Sequence, residues 1–269
     1  MLITGATSGI GAAFAAHFAS RGSRLILTGR RRALLEERRD ELIAAGAPQV
    51  ELETGDLAEQ TTGASIEALV RERRPDVLVN NAGFSNYVPV ADAPVDELES
   101  LLTVLVRVPM RLCNAALPAM IGRGEGLVIN VGSLAGRVPV PGAALYVSSK
   151  VFLERFTETL AIEAASHGVA VQALTPGYVR TDFHRDVEDY REKRRNRGLV
   201  RWMDSTEVVR ESMRAAERAL RRLESGRGPA PRRRDVVVVP GLANRVLASV
   251  APFVPRTLIY RAVAERERM

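Results

Sequence analysis

A chain that opens MLITGATSGIGAAFAAHFASRG has few folds available to it. A short apolar stub, Met1 to Thr4, runs into a glycine-rich turn, and the small-residue pattern that follows reads as a helix ending at Gly22. Strand, glycine turn, helix is the order that sets backbone N–H groups and a helix N-terminus against a pyrophosphate. The spacing is TGxxxGxG rather than GxGxxG, yet the glycines serve the same ends: a tight turn, close approach of a ligand to the backbone, and close helix packing. The stub is shorter than the roughly five residues usual for a strand.

The pattern then repeats with changes that carry information. Arg24 to Thr28 (RLILT) reads as a buried strand, followed by Gly29-Arg30-Arg31-Arg32 opening a second helix. At the end of the second strand of a dinucleotide fold, an acid binds a ribose 2′-OH, whereas an arginine accommodates a 2′-phosphate. Neither Gly29 nor Arg30 is acidic, so NADP(H) is expected over NAD(H), with Arg30 at the 2′-phosphate. A merely solvated role for these arginines fits less well, because cations at a helix N-terminus oppose the dipole. A third strand, Val50 to Glu53, leads to Asp56 and Leu57, where Asp56 either meets the adenine amino group or caps the next helix. A fourth, Asp76 to Val79, runs into Asn80-Asn81-Ala82-Gly83, a sharp turn suited to a position beside a ligand. Strands alternating with helices predict an open parallel α/β sheet covered on both faces.

A second cluster carries chemistry. Ser133 follows the strand-like run GLVINV, and Tyr146 and Lys150 lie four apart in a helical pattern, hence one turn apart on one face. A phenol titrates near 10, and an adjacent cation is expected to lower it by stabilising the phenolate. Only two of the 38 basic residues are lysines, Lys150 and Lys193. A lysine at this position points to a need for a compact ammonium whose pKa can move.

Composition removes other classes. With 269 residues, 46% of them hydrophobic, the chain is long enough for one large domain with a full core. The lone cysteine, Cys113, excludes an intramolecular disulfide framework, and no metal-ligand spacing occurs, so no metal and a cytoplasmic location are expected. No signal peptide is expected ahead of the first strand, and no uninterrupted apolar run reaches about 18 residues. The net charge of +6 comes from arginines interleaved with glutamate, as in RRRALLEERRDEL, and no basic-aromatic ladder suggests nucleic acid.

Taken together and in order, TGATSGIG, NNAG, Ser133, YVSSK at 146 to 150 and PGYVRTDF at 176 to 183 resemble the short-chain dehydrogenase/reductase family over about residues 1–185. The resemblance implies a Rossmann-type doubly wound sheet of seven strands in the order 3-2-1-4-5-6-7, and reversible hydride transfer between a nicotinamide and a carbonyl or alcohol carbon. By the same similarity Ser133 holds the substrate oxygen, Tyr146 exchanges its proton, and Lys150 binds the nicotinamide ribose while lowering the phenol's pKa. Gly5, Ala6, Thr7, Ser8, Gly9, Ile10 and Gly11 match the phosphate turn, and Arg30 the 2′-phosphate position. Asp56 and Leu57 match the adenine contact, Asn80, Ala82 and Gly83 the adenosine-side turn. Pro176, Gly177, Val179 and Thr181 match the loop that orients the carboxamide.

One position departs from the family. Leu105 stands where the family usually has an asparagine whose main-chain carbonyl holds a relay water. Pro109, four residues on, has no N–H to offer that carbonyl, so the relay is expected to survive. The expected activity is an NADP(H)-dependent ketone or aldehyde reductase on a moderately apolar small molecule, free or thioester-tethered. The alternative is a non-redox cyclase or isomerase that keeps the nucleotide and uses Tyr146 as acid or base.

Residues 183–205 are expected to cover the substrate, with a basic cluster from Arg191 to Arg197, and His184 and Trp202 are candidate pocket residues. Glu207 to Glu224 reads as a helix and Asp235 to Val239 as the last strand. The apolar tail, residues 241–269, is expected to cap the pocket or join subunits rather than to lie on a membrane. The family's habit implies a homodimer or homotetramer built through the helices that carry Leu105 and Tyr146.

Overall fold

In the computed structural model, which describes residues 1–184, 201–225 and 230–267, seven parallel strands form one sheet in the order β3-β2-β1-β4-β5-β6-β7. The strands are β1 (Leu2–Ile3), β2 (Leu25–Gly29), β3 (Val50–Thr54), β4 (Val77–Asn80), β5 (Gly126–Val131), β6 (Val169–Leu174) and β7 (Val237–Val238). β4, β5 and β6 are buried along their whole length, as their near-continuous apolar runs require when helices cover both faces. Short as it is, β1 is the pivot of the sheet. It pairs with β2 on one side (Leu2 opposite Ile26) and with β4 on the other (Leu2 opposite Leu78). The winding reverses there, and that reversal opens a crevice beyond the carboxyl ends of the strands.

The helices are α1 (Gly9–Ala19), α2 (Arg32–Ala44), α3 (Gln60–Arg73), α4 (Val95–Leu102), α5 (Val108–Arg123), α6 (Ala144–Ala165), α7 (Ser205–Glu224), α8 (Arg233–Val236), α9 (Leu242–Val250) and α10 (Arg256–Glu267). One core cluster joins Phe14 and Phe18 of α1, Leu35 of α2 and Val208 of α7 to the sheet, and a second joins Ile66 of α3, Leu112 of α5 and Leu160 of α6 to its other face. α6 buries Tyr146, Lys150, Leu153, Thr157, Leu160, Ala161 and Ala164, the three-and-four spacing of one helical stripe. The two site residues therefore ride on the same face that anchors the helix.

Two local expectations need correction. Asp235 and Val236 are helical rather than extended: both N–H groups bond to the Arg232 carbonyl, and the Asp235 carboxylate is buried against Arg218 at 3.0 Å, leaving only Val237–Val238 for the sheet. Between α4 and α5 the helix widens into a π turn, Thr103–Arg107, in which the Val108 N–H donates to the Thr103 carbonyl. Inserted residues of this kind bend a helix and concentrate at functional sites. Pro109 follows directly, and Leu105, expected on a regular helix, lies inside this π turn. The basic cluster of residues 191–197 lies outside the described residues, as does most of the 183–205 segment.

Candidate active site

Segments that follow the ends of β1 to β6 converge on one open cavity of about 850 Å³. At its adenosine end, the turn after β1 is closed from beneath by the turn after β4. The Thr4 hydroxyl accepts the N–H groups of Asn81 and Ala82, both at 3.0 Å, and the Asn81 amide donates to the carbonyls of Thr4 and Gly5. Gly5 sits at φ +66°, and a Cβ there would come within 2.8 Å of the Ala82 Cα. A Cβ on Gly11 would meet the Gly5 carbonyl oxygen at 2.3 Å, so α1 approaches the turn as closely as backbone allows. Ser8, the residue before α1, makes no side-chain cap, which leaves the first N–H groups of the helix facing the cavity. That arrangement suits an anion.

Of the residues expected at this end, Gly5, Thr7, Ser8, Gly9, Ile10, Arg30, Asp56, Leu57, Ala82 and Gly83 line the cavity. Three do not. Ala6 is fully buried, and Gly11 is wedged behind the turn. Asn80 lies beneath the site, where its amide donates to Asn130 Oδ1 at 2.8 Å and Asn130 in turn donates to Thr157 of α6 at 2.9 Å. The strand alternation that buries Asn80 sends Asn81 to the ligand side, a one-residue correction of the expected contact. The Asp56 carboxylate accepts the Ala58 N–H on Oδ1 at 2.9 Å, in the turn ahead of α3 and not at its N-cap, which is Glu59, while Oδ2 meets Arg30 at 3.4 Å on the cavity rim. The sequence reading missed Arg31, whose guanidinium donates to Thr7 Oγ1 at 2.9 Å and Ser8 Oγ at 3.4 Å. Its only signal was membership of the same arginine run.

At the other end, Ser133, Tyr146 and Lys150 all face the cavity. β5 ends at Val131, which delivers Ser133 to the crevice, and the serine Oγ accepts the Ala135 N–H at 3.1 Å. Ser133 also stands close enough to the Tyr146 phenol to pull its pKa down. Lys150 Nζ donates to the Val131 carbonyl at 2.8 Å and lies 5.6 Å from the centre of the Tyr146 ring. The triad is thus assembled, but its electrostatics differ from expectation. Burial pushes the phenol up to about 12, against a smaller opposing pull from Ser133, and pushes the ammonium down to about 8. Desolvation dominates both shifts, because the two groups are almost wholly buried. Leu105 packs with Leu101, Ala143 and Tyr146, and its Cδ2 lies 2.9 Å from where a Cβ on Gly83 would be.

Pro176, Gly177, Val179 and Thr181 line the cavity between the two ends, and Val179 pairs with Met203 as an isolated bridge. Phe183 sets its ring 5.7 Å from that of Tyr146. Trp202 does not line the cavity; it is buried against Tyr178, ring centres 4.9 Å apart. The side chain of His184 lies outside the described residues. No cluster of metal-ligating side chains occurs among the described residues.

The short chain dehydrogenase family model matches residues 1–192. Dehydrogenase/reductase SDR family member 7B of Bos taurus is 36% identical over 189 residues, 68% of this chain and 58% of that protein, so this chain spans little more than half of that relative's length. Sulfoacetaldehyde reductase 2 of Chromohalobacter salexigens is 36% identical over 190 residues, 68% of this chain and 73% of that one. Among solved structures, a short-chain dehydrogenase from Sphingobium yanoikuyae in complex with NADPH superposes with a TM-score of 0.77 at 27% identity, covering 96% of this chain and 94% of the other. With its seven-stranded doubly wound sheet, glycine turn and Ser133-Tyr146-Lys150 group, the chain belongs to the short-chain dehydrogenase/reductase family.

Proposed function

We propose that the protein is an NADP(H)-dependent reductase of ketones or aldehydes, with the reverse alcohol oxidation as its back reaction. The observation that carries this reading is the convergence of Ser133, Tyr146 and Lys150, the last fixed on the Val131 carbonyl, in the same cavity as the uncapped start of α1. The residues fit the nucleotide: the Gly5 to Ile10 turn takes the pyrophosphate, Asp56 and Leu57 the adenine, and Arg30 and Arg31 the 2′-phosphate. Arg30 and Asp56 are 66% and 37% exposed, and an ion pair that open contributes only about 0–1 kcal/mol, so Arg30 is easily redirected to a phosphate. Bound there, the nicotinamide nucleotide supplies or takes the hydride.

The rest is the work of this chain. Ser133 holds the substrate oxygen by a hydrogen bond, and Tyr146 gives that oxygen a proton as negative charge gathers on it. A phenol pushed up to about 12 carries its proton at neutral pH and can give it to the substrate oxygen in the reductive direction. Lys150, poised near 8, keeps positive charge beside the phenol below that pH. The substrate end is walled by Phe84, Val138, Val140, Val147, Phe183 and Leu247, which supports an apolar substrate. Exposed Met110, Phe152 and Ile162 on α5 and α6 support a homo-oligomer.

The test is a panel of apolar ketones and aldehydes with NADPH or NADH, following loss of reduced-nucleotide fluorescence. The expected result is turnover with NADPH that falls by about 10²–10⁴ in Tyr146→Phe, the usual contribution of a positioned proton donor. Conversion of substrate without net NADPH consumption would overturn the redox reading in favour of isomerisation.

A further inference from the structure

The C-terminal tail supplies a wall of this cavity that lies outside the family motifs. Asn244, Leu247, Ala248 and Ala251 all line it, and their spacing of three, one and three places them along one face running through α9 into the turn after it. The opposite face, with Leu242, Val246 and Val250, is exposed. α9 is held at its start from two directions. From outside, Glu211 of α7 accepts the Gly241 N–H, at 3.2 Å to each oxygen, and pairs with Arg245 at 3.0 Å. From inside, Asn244 is only 4% exposed and its amide donates to the Pro240 carbonyl at 2.8 Å, with Met203 Sδ at 3.6 Å.

Those inner contacts lead straight to the Pro176–Thr181 loop. A Cβ on Gly177 would fall 2.7 Å from Asn244 Oδ1, so the amide lies flush against the loop backbone. Met203 is stitched to the same loop, its N–H donating to the Tyr178 carbonyl and its own carbonyl accepting the Arg180 N–H, both at 3.0 Å. Gly241, at φ +84°, brings its backbone within reach of Met203 Sδ, 2.9 Å from where a Cβ would stand. One buried amide thus joins the start of α9, Met203 and the loop that flanks Ser133 and Tyr146.

We propose that Asn244 is a positioning residue that latches α9 to the Pro176–Thr181 loop, and that α9 is the wall that sets substrate size. This rests on the NADP(H) reductase reading above. Asn244 acts through the loop at the nicotinamide end and leaves the adenosine end untouched, and Ala248 and Ala251 leave room that a larger side chain would fill.

The experiment compares wild type, Asn244→Ala and Ala248→Leu by titration with NADPH and with adenosine 2′,5′-bisphosphate, and by kinetics on a small and a bulky apolar ketone. Asn244→Ala is expected to lose about tenfold in NADPH affinity and in kcat/KM, in line with one lost buried hydrogen bond, while adenosine bisphosphate binds as in wild type. Ala248→Leu is expected to raise KM for the bulky ketone alone. Equal weakening of both nucleotides by Asn244→Ala, or no change in either variant, would overturn the latch and the wall. A wild type that binds neither ligand overturns the nucleotide reading itself and the latch with it.

Discussion

The turn between β1 and α1 and the helix α9 stand at the two ends of one cavity, and they are held in place by different physics. Around the turn, backbone meets backbone. Gly5, Gly11 and Ala82 approach until no Cβ fits, and the cross-bonds run from Thr4 and Asn81 to main-chain atoms. Around α9, side chains carry the contact, chiefly Asn244 and Glu211, and the far face of the helix is open. A backbone cradle binds what every nucleotide shares, its phosphates. A side-chain wall can be rebuilt to suit a different substrate without disturbing the sheet.

By that division the largest structural penalty belongs to the cradle. Gly11→Ala is expected to destabilise the fold by about 1–3 kcal/mol, since its Cβ would drive into the Gly5 carbonyl, and to weaken nucleotide binding with it. Denaturant unfolding with and without NADPH measures both; a variant as stable as wild type would show that the turn has slack. Arg31→Ala comes next. It is expected to cost about tenfold in NADPH affinity, the scale of a lost charged hydrogen bond, while NADH affinity holds. A loss confined to Arg30→Ala would return the 2′-phosphate to the residue that the sequence singled out.

The smallest effect is a matter of pH. Lys150 is lowered from 10.5 to about 8 by burial, so reduction is expected to fall as pH rises past about 8, and Lys150→Arg should move that limb to higher pH. Between about 8 and 10.5 the unfolded lysine binds a proton that the folded one has released, so this group makes the fold more stable as pH rises through that window. Activity lost while thermal stability holds separates deprotonation from unfolding. A flat profile from pH 7 to 9 would show that the ammonium is not what sustains the proton transfer.

Much of this was legible in one dimension. Local patterns carry the sheet: apolar runs ending in TGATSGIG, NNAG and GLVINV placed β1, β4, β5 and the residues at their carboxyl ends within a residue or two. Ser133, Tyr146 and Lys150 were equally plain, because strand ends and helical spacing are short-range properties. Less legible was which neighbour in a motif faces the ligand. Asn80 and Asn81 are indistinguishable by type, and only the pleat of β4 buries the first and presents the second. Asp235 looked like strand because DVVVV is β-branched, and its ion pair with Arg218, 17 residues away, decided otherwise.

By itself, then, the sequence determined the doubly wound fold, the nucleotide turn and the reacting trio, since each depends on residues close together in the chain. Tertiary structure alone decided the rest. It set the protonation of Tyr146 and Lys150, because desolvation depends on what α6 and β5 enclose together. It brought Arg31 onto Thr7 and Ser8 across 24 and 23 residues of chain. And it seated Asn244 against Gly177, a contact between the tail and a loop after β6 that no local pattern encodes, because it exists only once the sheet has brought the two ends of the domain together.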